Sequence, residues 1–327
     1  MAEQKEGSPS KKDQKKEKGR ISRRQALGLG FKGLVAAMAM RGGLQTKEET
    51  VEAAGRAKRA VGGFLTGEKP AGEALKTLFG REPTFLHLVY RNLPSEDMDV
   101  AKREVFAEGQ ALADYDRVLR TSQYESLIRN TAKAHGVPEE LLLGLAMYES
   151  EGQANYVSDK GCKGLTAMGD EIALKHNLKI SDGDDDERLD PDKILPATAS
   201  ELREYFERLG DWGLAFQEWH VGRTQLYDEL LRPYFASAHG EDLPSINVAP
   251  TDATSEAKVA ADLETQKILE LYKQKIDQYQ VTVYHLFKNP QIQELVSSSG
   301  WEGTDHYLPR IMGSYAMFQG YNAVAIS

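Results

Sequence analysis

The sequence predicts a mainly α-helical protein, on three observations. Apolar residues recur at three- and four-residue spacing, glycines stand where those runs stop, and no alternating pair of runs gives a strong β-hairpin signal. A helix is expected over residues 123–135, ended by Gly136. The next starts after Pro138, whose fixed backbone angle suits a first turn, as do the acids Glu139 and Glu140 beside the N-terminal dipole. Leu141, Leu142, Leu145 and Ala146 give this helix one apolar stripe, with Gly152 just beyond its end. A short helix is expected over residues 172–178. Leu202, Tyr205, Phe206 and Leu209 mark an amphipathic one, and Asp211-Trp212 opens the helix that carries His220. Residues 236–262 read as a surface loop or linker. Ile268, Tyr272, Ile276, Tyr279 and Val283 read as the core stripe of one long helix.

Composition limits the function classes. A chain of 327 residues with 40% hydrophobic and 28% charged residues has room for one or two domains and an ordinary soluble core. The formal charge of -9 is uneven, because residues 1–24 hold nine Lys/Arg against four Asp/Glu. The acidic remainder lacks the clustered cations that nucleic acid requires, so no nucleic-acid partner is expected. One cysteine, Cys162, excludes an internal disulfide framework. Scattered histidines show no zinc spacing, and neither a metal nor a cofactor is expected. Asp182, Asp184 and Asp186 alternate like the start of a calcium loop. Glu187 and Lys193 occupy the positions that need Gly and Glu, so this run reads as a solvated acidic loop.

Three regions are expected. Residues 1–42 read as a basic tail with an export signal: Ser22-Arg23-Arg24-Gln25-Ala26-Leu27 resembles a twin-arginine motif. A weakly apolar stretch with Gly28, Gly30, Lys32 and Gly33 follows, then Ala37-Met38-Ala39 as a small-x-small cleavage site. Such a chain would be exported to the periplasm or cell envelope, and an uncleaved segment would anchor it to a membrane. Residues 43–117 form a charged helical region broken near Pro94, and residues 118–327 carry the motifs, with an insertion at about 236–295.

Glu149 is the residue with chemistry. It falls on the apolar stripe at the helix C-terminus, where burial and the negative end of the dipole both disfavour its ionised form. A carboxylic acid kept protonated near neutral pH is what glycoside cleavage needs. Spacing alone favours a solvated glutamate, as at most helix ends. The motifs that follow reverse that reading.

Glu149-Ser150 is followed by Ser158-Asp-Lys-Gly161-Cys-Lys-Gly164-Leu165, then Asp190-Pro191 with Ile194, then Gly210 to Ala215, then Trp219-His220-Val221-Gly222. In that order these resemble the transglycosylase domain of soluble lytic transglycosylases and goose-type lysozymes, with the Gly210 to Ala215 run similar to the membrane-bound D-type branch. Thr304-Asp-His-Tyr307 resembles the family's tyrosine-bearing C-terminal segment. The family's loop Met-Gln is Thr166-Ala167 here, its Asn is His220, and its C-terminal Glu is Gly303.

The resemblance implies a lysozyme-like helical domain acting on peptidoglycan glycan strands. Glu149 would be the single catalytic acid, with Ser150, Ser158, Gly164, Leu165, Trp219, His220 and Tyr307 at the substrate. The expected product carries a 1,6-anhydro-muramic end. A goose-type muramidase, which uses water instead, and a non-catalytic glycan-binding or scaffold protein are the alternatives left open.

Overall fold

A computed structural model describes residues 85–111, 115–246, 255–301 and 303–326. The export segment and residues 43–84 lie outside the described residues. The helices in chain order are α1 (Leu86–Val89), α2 (Ser95–Ala111), α3 (Tyr115–Ser122), α4 (Glu125–His135) and α5 (Glu139–Glu149). Then come α6 (Asp170–Lys175), α7 (Pro191–Leu209), α8 (Trp212–Val221), a π-helical turn (Gln225–Leu231) and α9 (Arg232–His239). The chain finishes with α10 (Ser255–Tyr279), α11 (Val283–Lys288), α12 (Pro290–Ser298) and α13 (Tyr307–Ile326). Among the described residues there are no strands, only bridges pairing Val157 with Lys163 and Lys163 with Met168. The protein is mainly α-helical.

Local chemistry sets the helix ends. Gly136 closes α4 in a left-handed conformation (φ 66°) that glycine adopts without a Cβ clash. Asp190 caps α7 through the Asp192 amide, and Pro191 occupies its first turn. Asp211 caps α8 by accepting from the Leu214 amide at 2.9 Å, and it is fully buried against Arg91, 3.0 Å away. Burial pushes the Asp211 carboxyl up to about 6, against the opposing pull of that amide and of Arg91.

The structure corrects the expected stripe on α5. Every residue from Leu141 to Met147 is buried, so α5 is a central helix covered on all sides and not a surface helix with one apolar face. One of its neighbours is α13, which returns from the far end of the chain and also packs on α2. Both crossings depend on missing side chains. A Cβ on Gly144 would stand 2.3 Å from the Ile311 carbonyl oxygen, and one on Gly313 would stand 2.5 Å from the Gly109 amide nitrogen.

The N-terminal helices pack on this core, and two element bounds differ from those expected. Helices α1 and α2 contribute Leu86, Val89, Met98, Ala101 and Val105 to the same core as the motif-bearing residues. Within 236–262, α9 runs on to His239 and α10 already starts at Ser255, so less of this stretch is loop than its Ser/Asp/Pro content suggested. Val283 lies on α11 and not on the long helix, because the chain breaks after Tyr279 and Thr282 caps a new start.

Adding one methyl at Gly144 should push α13 off α5. Gly144→Ala is expected to lower stability by roughly 1–3 kcal/mol, the usual cost of overpacking a core. Denaturant titration would measure this, and an unchanged midpoint would show that the crossing has room to give.

Candidate active site

Glu149 is the last residue of α5. The Tyr307 hydroxyl, at the first residue of α13, donates to its Oε1 at 2.5 Å. The acid is largely enclosed while part of it remains accessible. Burial raises its pKa to about 7, although the phenol hydrogen bond, which favours the charged form, pulls the other way. Tyr307 itself is wholly buried. Its ring stacks on His220 (centroids 3.9 Å, 11° between planes) and meets Tyr148 edge-on at 5.6 Å. Arg310, one turn along α13, donates to the Tyr148 hydroxyl at 3.4 Å and to Glu108 at 3.1 Å.

The glycine-rich loop sits behind this acid. Ser150 is buried, and its hydroxyl lies 2.9 Å from the Ala146 carbonyl and 2.8 Å from the Leu165 carbonyl, joining α5 to the loop. Ser158 accepts from the Cys162 amide at 3.0 Å and so closes the loop's own turn. Gly164 (φ 80°) is irreplaceable on space alone, since a Cβ would fall 1.8 Å from the Arg188 carbonyl oxygen. Leu165 is buried in the core. Full burial makes Ser150, Gly164, Leu165 and Tyr307 supports of the site, with no side-chain surface left for a sugar.

The acidic run also departs from the expected solvated loop. Asp182 and Asp184 are exposed, but Asp186 is buried. Its carboxylate accepts from Arg188 Nη2 at 2.7 Å and Lys163 Nζ at 3.1 Å. The Arg188 hydrogen bonds, foremost, hold the Asp186 carboxyl well below the usual range. Arg188, buried as well, pairs with Asp170 and reaches the Met168 carbonyl at 3.4 Å. The loop is thus pinned from beneath by charge. Sequence reasoning missed this anchor because a run of acids reads as solvated, and nothing local shows that Asp186 turns inward to Arg188 and Lys163.

At the end of α8, Trp219 is half-buried against the core, while His220 keeps an accessible surface. His220 is exposed on one face, and desolvation of the imidazole, with Lys160 and Arg310 adding positive charge, pushes it down to about 4. His220 is therefore neutral at physiological pH. Beneath it, the buried Glu218 pairs with Arg208 at 2.7 Å and Arg223 at 3.3 Å. Tyr148, Tyr156 and Arg310 complete the surroundings. Tyr156 in the loop feels the Glu149 charge, which together with desolvation raises its own pKa. Tyr148 adjoins Glu149 in sequence and Arg310 follows Tyr307 by three, a helical neighbour spacing that gave a usable signal. Among the described residues no group of three or more His, Cys, Asp or Glu is placed to hold a metal ion.

Glu149, the glycine loop and His220 therefore converge from a segment of fewer than a hundred residues. Residues 126–237 match the transglycosylase SLT domain family. The peptidoglycan transglycosylase gp16 of Escherichia phage T7 is 33% identical over 81 residues, which is 25% of this chain and 6% of that protein. The chain thus spans only a small part of the length of this curated relative. Tyr307 lies outside the SLT match, and the fold brings it to the acid.

Tyr307→Phe keeps the ring stack and removes only the donor. Because that donor favours the carboxylate, the Glu149 pKa is expected to rise above about 7. A carbon-13 titration of the Glu149 carboxyl would show it, and a value unchanged or lower would remove the phenol from the acid's control.

Proposed function

We propose that this chain is a lytic transglycosylase of peptidoglycan, with Glu149 as its only catalytic carboxyl. The observation that carries the reading is an enclosed glutamate with a pKa near 7, held by a buried phenol in a segment that matches the SLT domain. The acid is then substantially protonated at neutral pH, as the first step needs.

Tyr307 occupies Oε1, which leaves Oε2 to carry the mobile proton. Glu149 gives that proton to the oxygen joining N-acetylmuramic acid to N-acetylglucosamine. The bond from C1 to that oxygen breaks, and the acetamido group of the muramic sugar supports the positive charge on C1. The carboxylate then takes the proton of the C6 hydroxyl, whose oxygen closes onto C1 and leaves a 1,6-anhydro end. Glu149 finishes protonated again, so one carboxyl serves both steps. Proximity favours the intramolecular hydroxyl over water.

Glu151, the nearest carboxylate in sequence, is no second catalyst, because Arg117 and Arg120 bind both of its oxygens. His220, neutral and accessible, is suited to hydrogen-bond the sugar beside the Tyr307 ring on which it stacks. Export of the chain through its Arg23-Arg24 segment fits a wall substrate. No described helix is long and apolar enough to cross a membrane.

Glu149→Gln keeps the shape but has no proton to give, and should lower cleavage of purified peptidoglycan by about 10²–10⁴-fold or more. Wild-type products should be lighter by one water than those of a muramidase, as read by mass spectrometry. Hydrated ends would convert the reading to a hydrolase. Equal activity of the Gln variant would remove Glu149. With the acid required in its protonated form, kcat/KM should hold below pH 7 and fall as pH rises through about 7.

A further inference from the structure

The turn that follows Glu149 is built against its own conformational preference. Glu151 is held at φ 55°, a left-handed conformation unusual for a residue with a side chain, and Gly152 follows at φ 74°. Such outliers persist only where surrounding structure over-determines them. Here that structure is α3. Gly152 is seated on it so closely that a Cβ would lie 2.5 Å from Thr121 Oγ1 and 2.6 Å from the Thr121 amide nitrogen. Arg117 pairs with Glu151 Oε1, and Arg120 Nη2 lies 3.3 Å from Oε2. Arg120 Nε also donates to the Glu151 backbone carbonyl at 2.8 Å. The Thr121 hydroxyl closes the arrangement by donating to the Arg117 carbonyl at 2.8 Å.

We propose that Arg117 and Arg120, acting through Glu151, are positioning residues that lock this turn and so hold the Glu149 carboxyl against Tyr307. The proposal rests on the reading of Glu149 as the catalytic acid. The physical need is plain. Glu149 closes its helix, and the last turn of a helix frays unless something beyond it is fixed. Past it, Ser150 is tied to Leu165, and the Gly152 amide reaches back to the Ala146 carbonyl at a long 3.3 Å. Only the two arginines grip the chain from outside at the residue between them. Their target sits two residues from the acid, on the side of α3.

The titratable and charged groups that face Glu149 come from three other elements. Tyr307 stands on α13, Tyr156 on the glycine loop, and His220 on α8 behind the Tyr307 ring. Tyr148 precedes the acid on α5, and Lys160 and Arg310 lie near His220. Tyr156 also feels the charge of Glu151, and α13 contacts α3 as well as α5.

The test compares the full chain with Arg117→Ala/Arg120→Ala, Arg117→Lys/Arg120→Lys and Glu151→Gln. It reads kcat and KM on purified peptidoglycan across pH, and the Glu149 carboxyl by carbon-13 titration. The alanine pair should lose about ten- to a hundredfold in kcat, the scale on which misplaced catalytic groups act, with little change in KM. Its high-pH limb should move to lower pH, because a carboxyl released from its enclosed place is better solvated and loses its proton more readily. The lysine pair should recover most of kcat, and Glu151→Gln should show the same displacement in smaller measure. A limb and a carboxyl titration identical to wild type in folded variants would overturn the proposal. If the alanine pair does not fold, Glu151→Gln decides alone. If the wild-type chain fails to cleave peptidoglycan, the proposed function falls while the carboxyl titration still decides the clamp.

Discussion

The contact between α5 and α13 sets the geometry on which the rest of the site depends. With glycine at 144, the backbone of α13 lies against a helix that is buried on every side, and the first residue of α13 arrives level with the last residue of α5. Backbone contact fixes this distance more firmly than interlocking side chains would, since there is no rotamer to yield. The phenol of Tyr307 thereby meets Glu149 with its ring already braced by His220 and Tyr148. A site built in this way has little freedom in the acid's position and keeps its freedom for the accessible faces of His220 and the loop.

Charges below the surface serve the same end. Asp186 with Arg188 and Lys163, and Glu218 with Arg208, are ion pairs taken largely out of water. Pairs of this kind contribute little net stability over an apolar replacement, yet removing one partner costs several kcal/mol because the other is left uncompensated. Their use here is directional. Arg188 reaches Asp170, Asp186 and the Met168 carbonyl together, and so fixes where the glycine loop lies relative to α7.

Much of this was legible in the sequence, and the reasons differ by element. The start of α5, the stop at Gly136 and the acid's place on the helix follow from local rules of capping and periodicity. The order of short motifs carried the site from Glu149 to His220, and it reached Tyr307 through one weak C-terminal segment. Burial was harder to read. A stripe of Leu141, Leu142, Leu145 and Ala146 looks amphipathic until Leu143 and Met147 are seen to be covered as well, and only tertiary packing decides that. Asp186 shows the converse, because its arginine partner two residues away gives no hint that both are turned inward. The grip of Arg117 and Arg120 on Glu151 spans more than thirty residues and had no local signature.

The phenol and the acid it holds are 158 residues apart in the chain. Contacts of such long range form late, after the loop between them has lost its freedom. During synthesis the glutamate, its loop and His220 emerge well before α13 exists. A nascent chain at that stage holds an acid without the Tyr307 hydrogen bond and a central helix with one flank bare. The geometry around the acid is therefore completed late: it exists only once α13 has been made and has closed onto α5.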